Sequence, residues 1–164
     1  MRKWKMERTA IISDCGTYRY RLTRRWGERQ ALTFVMLNPS TADALIDDQT
    51  IRKCIGFAKN FGFDGIDVVN LFAFRSRWPK DMLVATDPIG PENDRYILET
   101  ARAAGEVVCA WGPNASRTTR PKQVLELLGT VDIQPKCLCI TKDGSPGHPL
   151  TLGYNRELTD FSLR

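Results

Sequence analysis

The chain has 164 residues, of which 42% are hydrophobic and 26% charged, and these proportions are those of an ordinary soluble protein. No apolar run approaches the roughly 20 residues that span a bilayer, and the basic start, MRKWKMER, lacks the apolar segment of a secretory signal. We therefore expect a cytoplasmic protein without membrane contact, folded as one domain over residues 1–164.

Histidine and cysteine are the residues that most often bind zinc in proteins, and their numbers argue against such a site. The chain has one histidine and five cysteines, without paired zinc-type spacing. Cys54, Cys109 and Cys137 lie in apolar segments, where a reduced thiol behaves as a small hydrophobic group. We expect neither a metal nor a cofactor.

The net charge of +5 is concentrated near the N-terminus. Residues 1–29 hold nine Lys and Arg against three Asp and Glu, and the remaining chain is close to neutral. Such a basic segment favours an anionic partner, which we expect to be DNA, another nucleic acid or a nucleotide, bound by a monomer. A solvated basic edge that only aids solubility is the alternative.

The same basic segment contains a predicted β-hairpin, TAIISDCGTYRYRLTRRW. Cys15 and Gly16 provide the turn, and residues 17–23 alternate in character as a strand does. The alternation predicts Tyr18, Tyr20 and Leu22 on one face and Arg19, Arg21 and Thr23 on the other.

After the hairpin, short apolar runs alternate with amphipathic segments. The predicted strands are ALTFVML (31–37), IDVVNLF (66–72), EVVCAW (106–111) and CLCIT (137–141). The predicted helices are residues 48–60, with Asp47 or Asp48 as N-cap, residues 92–104 and residues 121–129. This order is typical of an α/β fold with a mostly parallel four-stranded sheet and helices on both faces, preceded by the hairpin as an N-terminal extension over residues 1–29.

Unusual polar segments follow each of the four predicted strands. They are NPSTAD, FAFRSRWP, WGPNAS and KDGSPGHPL. Since ligands bind beyond the carboxyl ends of the strands in such a sheet, their convergence predicts the ligand site at that edge.

Six motifs along the chain resemble an uncharacterised bacterial and phage family that is known only as a domain of unknown function. They are RYRLTRRW, MLNPSTAD, NLFAFR, DPIGPEND, AWG and GHPL. The resemblance spans nearly the whole chain and implies no activity.

A more distant resemblance is to the uracil-DNA glycosylase superfamily, in the order of LNPS, NLFAFR, AWG and GHPL within a core of residues 30–152. It implies a uracil-DNA glycosylase-like fold, with Asn38 orienting the hydrolytic water and Asn70 reading a pyrimidine edge. His148 would stabilise the departing base, and Leu150 would enter the space that the base vacates. The water-orienting carboxylate of an Asp-Pro-Tyr turn is absent from this sequence.

Hydrolysis of an N-glycosidic bond needs a held water and a donor to the leaving base. The catalytic candidates are therefore Asn38, His148 and Asp43, with Asp47 as another source of the carboxylate. Asn38 and Asp43 are also ordinary turn residues, and Phe72 is better suited to a core than to a stacking platform. The candidates for substrate binding are Asn70, Phe72, Phe74, Ser40, Thr41 and Leu150. The candidates for phosphate binding are Arg19, Arg21, Arg24, Arg25, Arg75, Arg77 and Lys142.

Three functions are compatible with these residues. The leading hypothesis is a DNA glycosylase-like enzyme that removes an unusual or modified base. The second is a non-catalytic module that binds nucleic acid or a modified base. The third is a hydrolase or transferase of free nucleosides or nucleotides.

Overall fold

The computed structural model describes residues 4–163 and contains one mixed β-sheet of seven strands. In chain order the strands are β1 (Glu7–Ile12), β2 (Arg19–Arg25), β3 (Leu32–Met36), β4 (Gly65–Asn70), β5 (Glu106–Cys109), β6 (Lys136–Cys137) and β7 (Thr159–Asp160). Their order across the sheet is β1-β2-β4-β3-β5-β6-β7.

The four strands predicted from apolar runs are neighbours at the centre of the sheet, although the fourth, predicted over residues 137–141, is limited to Lys136–Cys137 (β6). β3 is parallel to β4 and β5, and β5 is parallel to β6. Every residue of β3 and β4 is buried, because helices cover both faces of a parallel sheet. The α/β class is thus confirmed.

The prediction of a four-stranded sheet preceded by a separate hairpin is wrong. β2 pairs antiparallel with β4, so the hairpin β1–β2 extends the same sheet. At the other end, β7 pairs antiparallel with β6. β7 has only two residues, both exposed, and therefore carries no apolar pattern that would reveal it.

Four α-helices pack on the sheet or border it. They are α1 (Gln49–Asn60), α2 (Pro79–Leu83), α3 (Asn93–Ala103) and α4 (Arg120–Gly129). Three of them match the predicted helices to within one residue at each end, whereas the short α2 was not predicted. Asp48 caps α1 as expected, because its Oδ1 accepts the backbone N–H of Ile51 at 2.9 Å. Within residues 4–163, no helix has the length and apolar character needed to cross a membrane.

The core has two layers, one on each face of the sheet. Phe34 and Val68 pack with α1, whereas Val35 and Val69 pack with α3 and α4. This division follows from the alternation of side chains along a strand. The thiols of Cys54, Cys109 and Cys137 are buried within these layers.

A β-bulge in β2 changes which face its side chains occupy. Ile11 pairs with Arg21 and Ile12 with Arg19, which leaves Tyr20 as the extra residue. Tyr20 stacks on Tyr96 of α3 with ring centroids 5.1 Å apart, whereas Leu22 packs in the layer of α1. The prediction that Tyr20 and Leu22 share a face is therefore wrong.

A buried guanidinium joins the loop between β3 and α1 to β2. The Arg24 side chain is 0% exposed, and its Nε donates to Asp47 Oδ1 at 2.7 Å. Its Nη2 donates to the carbonyl oxygen of Asp43 at 2.6 Å, and Asp47 also accepts from Arg8 at 2.8 Å. The conformation of this loop thus depends on Arg24.

We expect Arg24→Ala to lower the free energy of unfolding by about 3–5 kcal/mol, because it leaves Asp47 partly unpaired and several carbonyls without a donor. Urea denaturation measures the loss. The matched control is Arg21→Ala in the same strand, which is half-buried and should change stability by less than about 1 kcal/mol. Equal losses for the two variants would contradict the structural role of Arg24.

Candidate functional site

A cavity of about 310 Å³ lies at the carboxyl ends of the parallel strands. Its size is within the range of small-ligand sites, roughly 300–1,000 Å³. Segments that follow β3, β4, β5 and β6 all contribute to its wall, as do β2 and the start of α1. The polar residues of the wall are Arg19, Asn38, Ser40, Asp48, Thr50, Asn70, Ser76, Arg77, Asn114 and His148.

Asn38 begins the turn after β3, and its amide is held in one orientation. Nδ2 donates to the carbonyl oxygens of Ser76 at 2.8 Å and Pro39 at 3.1 Å. Ser76 in return donates its backbone N–H to the Pro39 carbonyl oxygen at 2.9 Å. Because both neighbours of the amide nitrogen are acceptors, Oδ1 remains as the acceptor that Asn38 offers to a ligand.

Asn70 ends β4 with its side chain on the cavity wall, and the residue is only 1% exposed. Neither its Nδ2 nor its Oδ1 has a hydrogen-bond partner among the described residues. An unpaired buried polar group costs roughly 1–3 kcal/mol of folding free energy. A ligand that carries one donor beside one acceptor would pair with both atoms of the amide and remove that cost.

The backbone around Asn70 is fixed from the opposite face of the sheet. Asn93 Nδ2 donates to the carbonyl oxygens of Asn70 at 2.9 Å and Leu71 at 3.2 Å. Arg120 Nε donates to the same Leu71 carbonyl oxygen at 2.7 Å. These buried donors satisfy the backbone where the strand ends, and they hold the amide of Asn70 toward the cavity.

Arg19 reaches the cavity because the bulge at Tyr20 turns it toward the layer of α1. It is 3% exposed, and its Nη1 donates to the Ala42 carbonyl oxygen at 2.7 Å. Its Nε has no partner among the described residues. Burial lowers the pKa of Arg19 to about 10, with the charge of Asp48 acting in the opposite direction. The guanidinium is therefore cationic at neutral pH.

Asp48 is the one carboxylate of the cavity wall among residues 4–163. Sequence patterns identified it only as a helix cap. In a strand–helix unit the helix begins at the carboxyl edge of the sheet. The position of Asp48 at the start of α1 is therefore the signal that could have identified it as a residue of the cavity wall. One oxygen caps α1, so the other is available to a ligand or a water.

The surroundings of His148 favour a neutral imidazole ring that donates a hydrogen bond from Nε2. Its Nδ1 accepts the backbone N–H of Leu150 at 3.1 Å, which leaves the proton of the neutral ring on Nε2. Burial lowers the pKa of His148, and the nearby charge of Asp48 opposes that shift only in part. Gly112, at φ +72°, is a close neighbour of His148, since an added Cβ would lie 3.4 Å from the His148 Cβ.

Of the residues predicted for the site, seven line the cavity: Arg19, Asn38, Ser40, Asn70, Arg77, His148 and Leu150. The structure therefore brings together Asn38 and His148, the two residues on which the catalytic hypothesis depends.

The other predicted residues do not line this cavity. Asp43 accepts the backbone N–H groups of Leu45 and Ile46, both at 2.9 Å, and so closes its own turn. Phe72 is 5% exposed within the core, and Phe74 packs edge-on against Tyr18. The remaining predicted residues outside the cavity wall are Thr41, Arg21, Arg24, Arg25, Arg75 and Lys142, and Asp47 likewise lies outside it.

Comparison with protein families gives one match. The model of the family described as "Protein of unknown function (DUF1643)" matches residues 19–150, which include every cavity residue named above. Comparisons with curated proteins and with solved structures gave no match.

The titration of His148 tests the electrostatics of the cavity. As the chain's one histidine, it gives a single pair of imidazole C–H signals in proton NMR, and we expect the midpoint of their titration below the ordinary ~6.5. The folded state then disfavours the protonated ring. The contribution of His148 to the free energy of unfolding is thus complete above about pH 6.5 and is lost as the pH falls toward the folded pKa. A midpoint at or above ~6.5, or a stability profile unchanged by His148→Gln, would contradict this placement.

Proposed function

We propose that this chain, which belongs to the family "Protein of unknown function (DUF1643)", is a nucleic-acid-directed hydrolase that cleaves the N-glycosidic bond of an unusual or modified base. The observation that supports this most directly is the unpaired, buried amide of Asn70 in a cavity with Asn38 and His148. The order of the sequence motifs, which resembles that of uracil-DNA glycosylases, supports the same proposal.

Recognition of the base rests on Asn70. Base edges present donors and acceptors side by side, and an amide pairs with them through its N–H and its C=O together. Because both atoms of the Asn70 amide are buried and unpaired, binding such an edge satisfies two groups at once. An apolar ligand would leave them both unsatisfied.

Departure of the base is assisted by His148 and Arg19. When the bond between C1′ and the base nitrogen breaks, the electron pair goes to the base, which becomes negatively charged. Nε2–H of neutral His148 and the cationic guanidinium of Arg19 are donors fixed at the cavity wall. Donors that are already oriented stabilise such developing charge without reorganisation.

The water is held by Asn38 and Asp48. Oδ1 of Asn38 accepts a hydrogen bond from the water, and the carboxylate of Asp48 offsets the positive charge that develops on the sugar. The water oxygen forms the new bond to C1′, one of its protons passes to Asp48, and the base leaves with the bonding electrons. Asp48 thus takes the role that sequence reasoning gave to Asp43.

A second candidate function is hydrolysis of free nucleosides or nucleotides. It is favoured because most arginines of the hairpin are buried or paired with carboxylates. Arg24 is fully buried, Arg8 pairs with Asp47 at 2.8 Å, and Arg25 lies 3.7 Å from Asp67. These cations are engaged within the fold, so the basic hairpin offers less free charge to a polyanion than its composition suggests.

The catalytic roles can be tested with DNA oligonucleotides that carry uracil, mismatched or modified bases, followed by alkaline strand scission. We expect an abasic product from the wild type and none from Asn38→Ala or His148→Ala. Asp48→Asn should lower the rate at least about 100-fold, since general acid–base groups contribute that much. Asn caps helices as well as Asp does, so this variant keeps α1.

The matched control is Asp43→Asn, five residues away and outside the cavity, which should leave the rate within about threefold of the wild type. Equal losses for Asp43→Asn and Asp48→Asn would remove Asp48 from the mechanism. No product across the DNA panel would exclude the glycosylase, and turnover of nucleosides or nucleotides alone would select the second candidate.

The role of Asn70 predicts opposite effects on stability and function. Asn70→Leu replaces unpaired buried polar atoms by an apolar side chain of similar size, so the free energy of unfolding should rise by about 1 kcal/mol or more. Product formation should be lost, because the base edge has no partner. Thr33→Val is the matched control, since the Thr33 hydroxyl is also buried and unpaired but lies outside the cavity wall. It should stabilise without loss of activity, and a fully active Asn70→Leu would contradict base reading by Asn70.

A further inference from the structure

A large aromatic side chain stands exposed at the mouth of the cavity. Trp78 is 57% exposed, although its segment follows directly from the cavity wall at Ser76 and Arg77. Ser76 fixes the backbone of Trp78 twice: its Oγ accepts the Trp78 N–H at 3.1 Å and donates to the Trp78 carbonyl oxygen at 2.9 Å. The carbonyl of the same Ser76 accepts from Asn38, so the backbone that carries Trp78 is joined to the turn that begins at Asn38.

The indole forms one side of a shallow groove that continues from the cavity. The groove is lined by Trp78, Pro79, Lys80, Leu83 and Asn114. Pro79 and Asn114 also belong to the cavity wall, so the two depressions share an edge. A molecule that enters the cavity and extends beyond it therefore meets Trp78.

The charges around the groove are mainly positive. Arg77 lines the cavity, and its guanidinium lies 5.6 Å from the centroid of the Trp78 ring. Lys80 lines the groove, and neither cation forms an ion pair with a described residue. Asp81 is the acid of this segment and belongs to neither wall. An exposed aromatic ring beside unpaired cations is the combination that binds single-stranded nucleic acid.

We propose that this groove binds the nucleotide next to the one whose base occupies the cavity, on a single strand. Its base stacks on Trp78, and the phosphate that joins the two nucleotides contacts Arg77, which lines the cavity and lies beside the Trp78 ring. Lys80 contacts the following phosphate. This inference rests on the proposed function, because it takes the occupant of the cavity to be part of a strand.

The groove also distinguishes the two candidate substrates. A free nucleoside fills the cavity alone and gains nothing from Trp78. A strand gains one stacked base and two phosphate contacts, which compensate for the arginines that the hairpin uses internally. Selectivity for strands over monomers would then arise at this groove rather than at the hairpin.

The test is binding of a fluorescently labelled, mixed-sequence single-stranded DNA oligonucleotide, followed by anisotropy. Trp78→Ala should weaken binding about tenfold, as expected for loss of one stacked base, and Trp78→Phe should restore most of it. Trp4→Ala is the matched control, since Trp4 is 48% exposed and lines neither depression, and it should bind as the wild type does. Unlabelled oligonucleotide should quench tryptophan emission in the wild type, and Trp78→Phe should lose that part of the quenching.

Wild-type affinity in Trp78→Ala, unchanged quenching in Trp78→Phe, or no binding of the strand by the wild type would each overturn the groove proposal. Strand scission measured on the same variants separates it from the glycosylase proposal. Abasic product together with unaltered affinity in Trp78→Ala would reject the groove alone. Weaker binding by Trp78→Ala with no product from any variant would retain the groove and reject the glycosylase.

Discussion

The buried guanidinium of Arg24 is the interaction on which the candidate site depends most. It binds Asp47 and the carbonyl oxygen of Asp43, and so holds the loop that runs from Asn38 to Asp48 against β2. A buried charge of this kind is stable only when its donors are paired, so the loop has little freedom once the sheet has formed. Asn38 and Asp48 are therefore placed on either side of the cavity by a residue that does not touch it.

Around the cavity, the fold satisfies backbone groups and leaves side chains unpaired. Asn93 and Arg120 bind the carbonyls at the end of β4, while the amide of Asn70 has no partner among the described residues. The Arg19 side chain is likewise only partly paired within residues 4–163: Nη1 donates to the Ala42 carbonyl oxygen, and Nε has no partner there. Polar atoms that the chain itself could have paired, but does not, are the physical reason to expect a polar ligand here.

Much of this organisation follows from the sequence, because buried parallel strands appear as continuous apolar runs and their polar ends share one edge. That reasoning indicated the edge of the sheet at which the cavity lies, whereas the resemblance to uracil-DNA glycosylases singled out Asn38, Asn70 and His148. That reasoning also named Asp48 as one of two candidates for the cap of α1. It could not find the pairing of β2 with β4, which depends on residues far apart in the chain. Nor could it identify the carboxylate of the cavity, because it offered Asp43 and Asp47 for that role and treated Asp48 only as a helix cap. Only the folded structure shows that Asp43 Oδ1 accepts the backbone N–H groups of Leu45 and Ile46, and that Asp43 lies outside the cavity wall.

The bulge at Tyr20 gives one strand two separate duties. On one face the strand supplies an aromatic ring that stacks against α3, and on the other it supplies Arg19, a buried cation of the cavity wall. Without the extra residue, strict alternation would put Tyr20 on the same face as Leu22 and Arg19 on the opposite face. The bulge reverses both placements. The charge of the cavity therefore depends on the number of residues between the hairpin turn and Leu22 as much as on the identity of Arg19. Deletion or insertion of one residue in this segment would change that charge without replacing any side chain.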